Sequence, residues 1–378
     1  MAQGQLPSSR EPRRSRTLGL IATNVGLFLA LVVFVEGLSS VVLLSWDALR
    51  ANINTGLRHS RYDPMLGWAP ASDLNVPDMY GPGVYLRTNS QGFRGDREYG
   101  ETVPPGKRRV ICSGDSVTFG QGVDDLHSWC RLLESLDPRL ETVTMAFPGY
   151  GVDQAYLWYK RDAGRLQHHV HLFAPIADDF RRMQFARAYG FGKPFLAVES
   201  GQLVVKNVPV PERRYRAPWL TRSLQAIGSL RLVESIRRFD WVRSTSHAAP
   251  GDLSAADRAD LDRQTERMIP EVLADLKRLN EARASTLVVV FLPTLYDRER
   301  QDFERWPAVL ERACQALGIP FVNLAEDFDR FSDEEAAELF LEDLGHYNVA
   351  GNQRMAKQLY GRLREIPSAS RALFARAR

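Results

Sequence analysis

The sequence predicts an α/β domain whose parallel sheet is covered by helices on both faces, preceded by one transmembrane helix. From Lys107 onward, short apolar runs alternate with amphipathic helical segments. The predicted strands 108–113, 141–147 and 285–293 contain the apolar runs VIC, MAF and LVVVFL, and continuous apolar runs are typical of parallel strands buried on both faces. A much longer apolar segment lies near the N-terminus.

The N-terminal apolar segment covers residues 18–46 and follows four arginines between residues 10 and 16. It exceeds the roughly 20 apolar residues that a helix needs to cross a bilayer. A cleaved signal peptide is the alternative, but its apolar region is usually shorter. The positive-inside rule places residues 1–17 in the cytoplasm. We therefore expect a single-pass protein of the cell membrane with an extracytoplasmic domain, periplasmic or at the cell surface.

Composition argues against several kinds of partner and cofactor. The 49 basic and 46 acidic residues nearly cancel, and no basic stripe interleaved with aromatic residues suggests nucleic-acid binding. The three cysteines are too few for a zinc site. Cys112 lies in an apolar run that predicts a buried strand, and a disulfide between Cys130 and Cys314 is left open. Three neighbouring histidines, His168, His169 and His171, are expected to be solvated at a strand start, because no third metal ligand is evident.

Changes in composition and in predicted secondary structure divide the chain into segments. A connecting segment, 47–106, is rich in turn-forming residues and predicts short strands and loops. The main domain covers 107–366, and the strand–helix alternation breaks at 185–262. That insertion either packs on the sheet or acts as a substrate lid. Residues 367–378 form a basic tail that we expect to be solvated.

The first candidate catalytic residue is Ser116, in the tripeptide Gly114-Asp115-Ser116. The tripeptide follows the predicted strand 108–113, and the reactive crevice of an open α/β sheet lies at the carboxyl ends of its strands. A turn with Gly, Asp and Ser is common in loops, so the tripeptide alone is weak evidence.

A second motif supplies a base for this serine. Asp343 precedes His346 by three residues near the C-terminus. A serine hydroxyl needs a base to accept its proton, and histidine titrates in the right range. Asp343 can reach the second ring nitrogen of His346 and fix its tautomer. Ser116, His346 and Asp343 therefore form a predicted catalytic triad.

These motifs resemble those of the GDSL/SGNH hydrolase family. VICSGDSVTFGQGV is similar to its nucleophile block and DLGHYNVAGNQRMA to its terminal block, so that the resemblance covers about 107–366. The stretch NSQGFRGDREY resembles the lead-in of membrane-anchored bacterial members. The resemblance implies a three-layer α/β/α sandwich like that of flavodoxin, and a mechanism that needs no metal or organic cofactor.

The resemblance also implies an oxyanion hole built from three groups. These are the N–H of Ser116, the N–H of a glycine that Gly149 matches, and an asparagine in whose place this chain has Asp178. An ionised Asp178 offers no donor, and loss of one donor typically costs about 3 kcal/mol. Asp178 could donate if protonated, another side chain could replace it, or the enzyme could be slow or inactive.

The predicted activity is hydrolysis of an ester, such as an O-acetyl group, on a surface polysaccharide or lipid. An O-acetyltransferase with the same triad is the first alternative. A non-catalytic membrane-tethered binding or assembly protein with the same fold is the second. The sequence leaves the acyl group, the acceptor and the oligomeric state open.

Overall fold

The computed structural model describes residues 13–53, 59–189, 191–211, 255–299, 305–328, 330–342 and 345–375. Its strands are β1 (Ser60–Asp63), β2 (Gly67–Pro70), β3 (Asn75–Val76), β4 (Leu86–Arg87), β5 (Arg108–Gly114), β6 (Leu140–Ala146), β7 (Val170–Ala174), β8 (Arg187–Ala188), β9 (Phe191–Gly192), β10 (Phe195–Glu199), β11 (Gln202–Lys206), β12 (Thr286–Phe291) and β13 (Phe321–Asn323). Its α-helices are α1 (Arg13–Ile53), α2 (Ser116–Phe119), α3 (Trp129–Leu136), α4 (Val152–Asp162), α5 (Ala177–Arg182), α6 (Ala255–Glu281), α7 (Leu295–Glu299), α8 (Arg305–Leu317), α9 (Ala325–Phe328), α10 (Asp333–Ala337), α11 (Val349–Glu365) and α12 (Pro367–Phe374).

The N-terminal helix α1 contains a candidate membrane span. Gly19–Ser39 is a stretch of 21 residues with a mean hydropathy of 2.1, long and apolar enough to cross a bilayer. It lies inside the predicted segment 18–46. Residues 1–53 belong to a different compact unit from residues 54–213 and 255–378, which form the domain described next.

A five-stranded parallel sheet forms the centre of this domain. Its strands lie in the order β13-β12-β7-β5-β6, and all neighbouring pairs are parallel. Counted within the domain this is the order 2-1-3-4-5, which is the flavodoxin-like arrangement. The α/β fold class predicted from the sequence is confirmed.

Side chains alternate between the two faces of the sheet, as the period of a strand requires. Ile111 and Phe173 pack in the core under α4, α6 and α8, whereas Val110 and Leu172 pack in the core under α3, α11 and α12. Helices therefore cover both faces, and three layers result. The segment before β5 contributes Trp68 to the first core, where it is 1% exposed.

The structure describes only part of the insertion predicted at 185–262. β8 pairs with β9 and β10 with β11, each antiparallel, so 187–206 forms two hairpins. The segment 221–239, whose apolar residues at a spacing of three to four predict a helix, lies outside the described residues.

The cysteines differ from the expectation. Cys112 on β5 forms a disulfide with Cys130 on α3, and Cys314 is a free buried thiol. The open pairing of Cys130 with Cys314 is therefore wrong. Cys112 is fully buried, as predicted, but its burial places its sulfur against the helix that covers that face.

The expectation of solvated histidines is also wrong. His168 and His171 are 3% and 0% exposed, and His169 is partly buried. The Nε2 of His168 lies 2.8 Å from the hydroxyl of Tyr159, and the Nε2 of His171 lies 2.6 Å from the Oγ of Ser113. Burial lowers the pKa of His168 to about 4, so these rings are neutral members of a buried polar network.

The C-terminal tail is not solvated throughout. Helix α12 begins at Pro367, a residue that favours the first helical turn, and buries Ala369 and Leu373 in the second core. The domain therefore extends past the predicted boundary at residue 366.

Candidate active site

Three loops that follow neighbouring strands meet at one edge of the sheet. Ser116 follows β5, Gly149 follows β6 and Asp178 follows β7. Because parallel strands place their carboxyl ends at the same edge, these loops lie side by side. The edge between β5 and β7 is also the point where the strand order reverses, where α/β proteins bind ligands.

The turn after β5 fixes the position of Ser116. Asp115 caps α2 by accepting a hydrogen bond of 2.9 Å from the N–H of Val117 to Oδ1. A side chain at Gly114 would lie 2.5 Å from Thr118 Oγ1 and 2.7 Å from the carbonyl oxygen of Ala174. Only glycine therefore lets the chain turn here, and Ser116 becomes the first residue of the helix.

His346 lies next to Ser116 although the two are 230 residues apart. Its Nε2 is 2.9 Å from Ser116 Oγ. The His346 carbonyl accepts a hydrogen bond of 2.8 Å from the N–H of Leu341. The next residues start α11, whose N-cap Asn348 accepts a hydrogen bond of 3.0 Å from the N–H of Gly351. The third predicted triad member, Asp343, lies outside the described residues.

An arginine-centred cluster adjoins the serine. Arg182 Nη1 donates to Asp115 Oδ2 at 2.9 Å and to Asp179 Oδ1 at 2.7 Å. Asp115 Oδ2 in turn lies 3.2 Å from Ser116 Oγ. Asp115 therefore competes with His346 for the serine proton, and its pairing with Arg182 weakens it as an acceptor.

The same cluster affects the ionisation of Asp179. Burial, and after it the negative charge of Asp115, raises the pKa of Asp179 well above its usual range. The Asp179 carboxyl also accepts a hydrogen bond of 3.2 Å from the N–H of Ile176 at the start of α5. Asp179 thus links the loop after β7 to Arg182.

Gly149, which the sequence assigns to the oxyanion hole, lies in the turn after β6. Its φ is +78°, which glycine adopts without strain. Within the described residues, neither the N–H of Gly149 nor that of Ser116 donates a hydrogen bond to another protein group.

Asp178 lies between two arginines. Its carboxylate oxygens are 3.3 Å from Arg181 Nη2 and 3.6 Å from Arg182 Nη2, and its side chain is 27% exposed. A carboxylate in such ion pairs is an acceptor of hydrogen bonds.

Arg182 and Asp179 were not identified from the sequence. The signal was present in the stretch ADDFRR, where an acidic residue and an arginine at i and i+3 or i+4 lie on one helical face. Their proximity to Ser116, however, depends on the parallel pairing of β5 with β7. No group of three or more His, Cys, Asp or Glu side chains that could hold a metal ion occurs among the described residues.

Searches against family models and curated proteins found no match. Among solved structures the chain is similar to TesA, at 11% identity with a TM-score of 0.40, covering 68% of this chain and 99% of TesA. A member of the lipolytic protein G-D-S-L family from Veillonella parvula is similar at 10% identity and a TM-score of 0.38, with coverages of 67% and 97%. The strand order itself is that of a flavodoxin-like α/β fold.

An acetyl xylan esterase, AlAXEase, is similar to this chain at 12% identity and a TM-score of 0.38, covering 67% of this chain and 98% of the esterase.

Proposed function

We propose that this chain is a membrane-anchored GDSL/SGNH serine esterase that hydrolyses ester groups of a surface polysaccharide or lipid outside the cytoplasm. The observation that carries the proposal is the distance of 2.9 Å between His346 Nε2 and Ser116 Oγ at the carboxyl edge of the sheet. A serine within hydrogen-bond reach of a histidine is the arrangement that activates a hydroxyl nucleophile.

The reaction proceeds in two halves. Ser116 Oγ attacks the ester carbonyl while His346 Nε2 takes the hydroxyl proton, and the N–H groups of Ser116 and Gly149 donate to the oxyanion. Collapse of this tetrahedral intermediate expels the alcohol, which receives the proton from His346, and leaves the acyl group on Ser116. Water then attacks the acyl-enzyme with His346 again as base, and the acid leaves. Asp343 is assigned the role of orienting His346.

Two features support an extracytoplasmic location. Arginines precede the apolar span of α1, which favours a cytoplasmic N-terminus. The disulfide between Cys112 and Cys130 also fits an oxidising compartment, because such bonds are rare in the cytoplasm.

A fluorophosphonate probe tests the proposed nucleophile directly. We expect the full-length protein in detergent to be labelled, because a base-activated serine attacks phosphorus as it attacks an ester carbonyl. Ser116→Ala should abolish labelling, whereas Ser135→Ala, which removes an exposed hydroxyl on α3, should leave it unchanged. Labelling of the Ser116→Ala protein at the wild-type rate would contradict the assignment.

Asp178 is assigned to the rim of the oxyanion hole, where its negative charge opposes catalysis. We expect Asp178→Asn to raise kcat for p-nitrophenyl acetate by about tenfold, because an amide removes the charge and supplies a donor. Asp178→Ala is the matched control, since it removes the charge without adding a donor, and its gain should be smaller. If Asn and Ala give equal rates, Asp178 does not face the oxyanion.

A further inference from the structure

A short hairpin from the insertion presents an aromatic side chain near the active site. Tyr189 lies at the tip of the β8–β9 hairpin, and its side chain is 41% exposed. Its φ is +51°, a strained conformation that residues other than glycine seldom adopt. Such strain persists where the surrounding structure enforces it, often at functional sites.

The ring of Tyr189 lies against Gly149. A methyl group on the Cα of Gly149 would be 2.6 Å from Cε2 of Tyr189 and 3.5 Å from Cζ2 of Trp68. The ring therefore touches the residue whose N–H is assigned to the oxyanion. Arg182 borders the same turn, because its Nη1 donates to the carbonyl oxygen of Tyr150 at 3.2 Å.

The base of this hairpin is held on two sides. The carbonyl of Gly192 packs so closely on Gly67 of β2 that a side chain at Gly67 would collide with it. Lys193 is fully buried in an ion pair with Asp153 of α4. Phe191 packs on Trp68 with ring centroids 5.9 Å apart. These contacts anchor the base of the hairpin that carries Tyr189 to β2 and α4.

The surroundings of Tyr189 favour a sugar over a fatty acyl chain. A sugar ring offers an apolar C–H face to an aromatic ring and hydroxyls to polar groups. Arg182, which pairs with Asp178, supplies such a polar group beside the turn at Gly149 through its contact with Tyr150. A fatty acyl chain needs a continuous apolar channel. A groove of about 320 Å³ is lined by largely apolar side chains, among them Met183, Leu196 and Met268. Its lining includes neither Ser116 nor Gly149, so it is not a channel that leads from the nucleophile.

We propose that Tyr189 is a specificity-determining residue that stacks on the sugar ring bearing the ester, which makes a carbohydrate ester the substrate class. The inference rests on the proposed esterase function. It assigns to the first hairpin of the insertion a fixed binding role rather than that of a moving lid.

Three esters in a pH-stat assay on full-length protein in detergent test this. Glucose pentaacetate and ethyl acetate share the acyl group and differ in the sugar, whereas ethyl octanoate extends the acyl chain. We expect Tyr189→Ala to lower the preference in kcat/KM for glucose pentaacetate over ethyl acetate about tenfold, mainly through KM. Tyr189→Phe keeps the ring and should retain the preference within about twofold. Tyr85→Ala, which removes a ring that packs under Arg87, is the control.

An unchanged preference in Tyr189→Ala would overturn the proposal. So would a selective loss on ethyl octanoate, since the ring would then contact the acyl chain. Failure of esterase function gives a different result, namely no turnover of any ester above the Ser116→Ala background. In that case, the stacking role of Tyr189 is tested by binding of glucose pentaacetate to the Ser116→Ala protein, measured by fluorescence. Adding Tyr189→Ala to this variant should weaken binding about tenfold, and an equal affinity would refute the stacking role of Tyr189.

Discussion

Replacement of Ser116 by alanine is expected to lower kcat/KM for p-nitrophenyl acetate by about 10⁴-fold or more, because Ser116 Oγ is the hydroxyl that lies 2.9 Å from His346 Nε2. His346→Ala should cause a loss of similar size, since without the base Ser116 is a weak nucleophile. The measurement is initial-rate kinetics of the full-length protein in detergent.

The double variant sharpens this prediction. If Ser116 and His346 act as one unit, the Ser116→Ala/His346→Ala protein should be no slower than either single variant. His127→Ala is the matched control, because this histidine lies 2.8 Å from Asp124 and is 42% exposed on the surface. It should retain activity within about twofold. A Ser116→Ala protein within tenfold of wild type would identify another nucleophile.

The sequence was sufficient to predict the fold and the meeting of Ser116 with His346. Each motif followed an apolar strand or preceded the last long helix, and a parallel sheet brings such positions to one edge. Local patterns carry this information because the strand order of an α/β domain is restricted by connection rules.

What could not be predicted depends on partners distant in sequence. Arg182 belongs to the site only because β7 pairs beside β5, and Cys112 reaches Cys130 only because α3 packs on that face of the sheet. His168 and His171 are polar residues that a local pattern predicts to be solvated. Their burial is made possible by the hydrogen bonds that join their Nε2 atoms to the hydroxyls of Tyr159 and Ser113. Polar residues are buried when a partner is available, which no local pattern specifies.

Lys193→Met is expected to lower the free energy of unfolding by about 3–5 kcal/mol, because it leaves Asp153 buried without its counter-ion. Both side chains are 0% exposed in this ion pair. Lys193 Nζ also donates to the carbonyl oxygens of Arg182, Phe185 and Pro194 at 3.2, 3.3 and 3.0 Å. Thermal unfolding of the full-length protein in detergent, followed by tryptophan fluorescence, measures the loss.

Two further variants separate the charge from the packing. Lys193→Met/Asp153→Leu replaces the whole pair with apolar side chains and should recover much of the stability. Arg263→Met removes one partner of an ion pair whose side chains are each 57% exposed, and should cost under about 1 kcal/mol. A Lys193→Met protein as stable as the Arg263→Met protein would show that the buried pair contributes no more than a surface pair.

The pH dependence of the Lys193→Met protein follows from the carboxyl that remains. Burial already raises the pKa of Asp153 in the native protein, and loss of the lysine charge should raise it further. A folded-state pKa above the unfolded value means that the folded state binds more protons between the two pKa values, so stability rises as pH falls. The stability lost in Lys193→Met relative to wild type should therefore be smaller at pH 5 than at pH 8.

Lys193 also anchors the hairpin that carries Tyr189. The preference of the Lys193→Met protein for glucose pentaacetate over ethyl acetate should therefore fall even at temperatures where the protein stays folded.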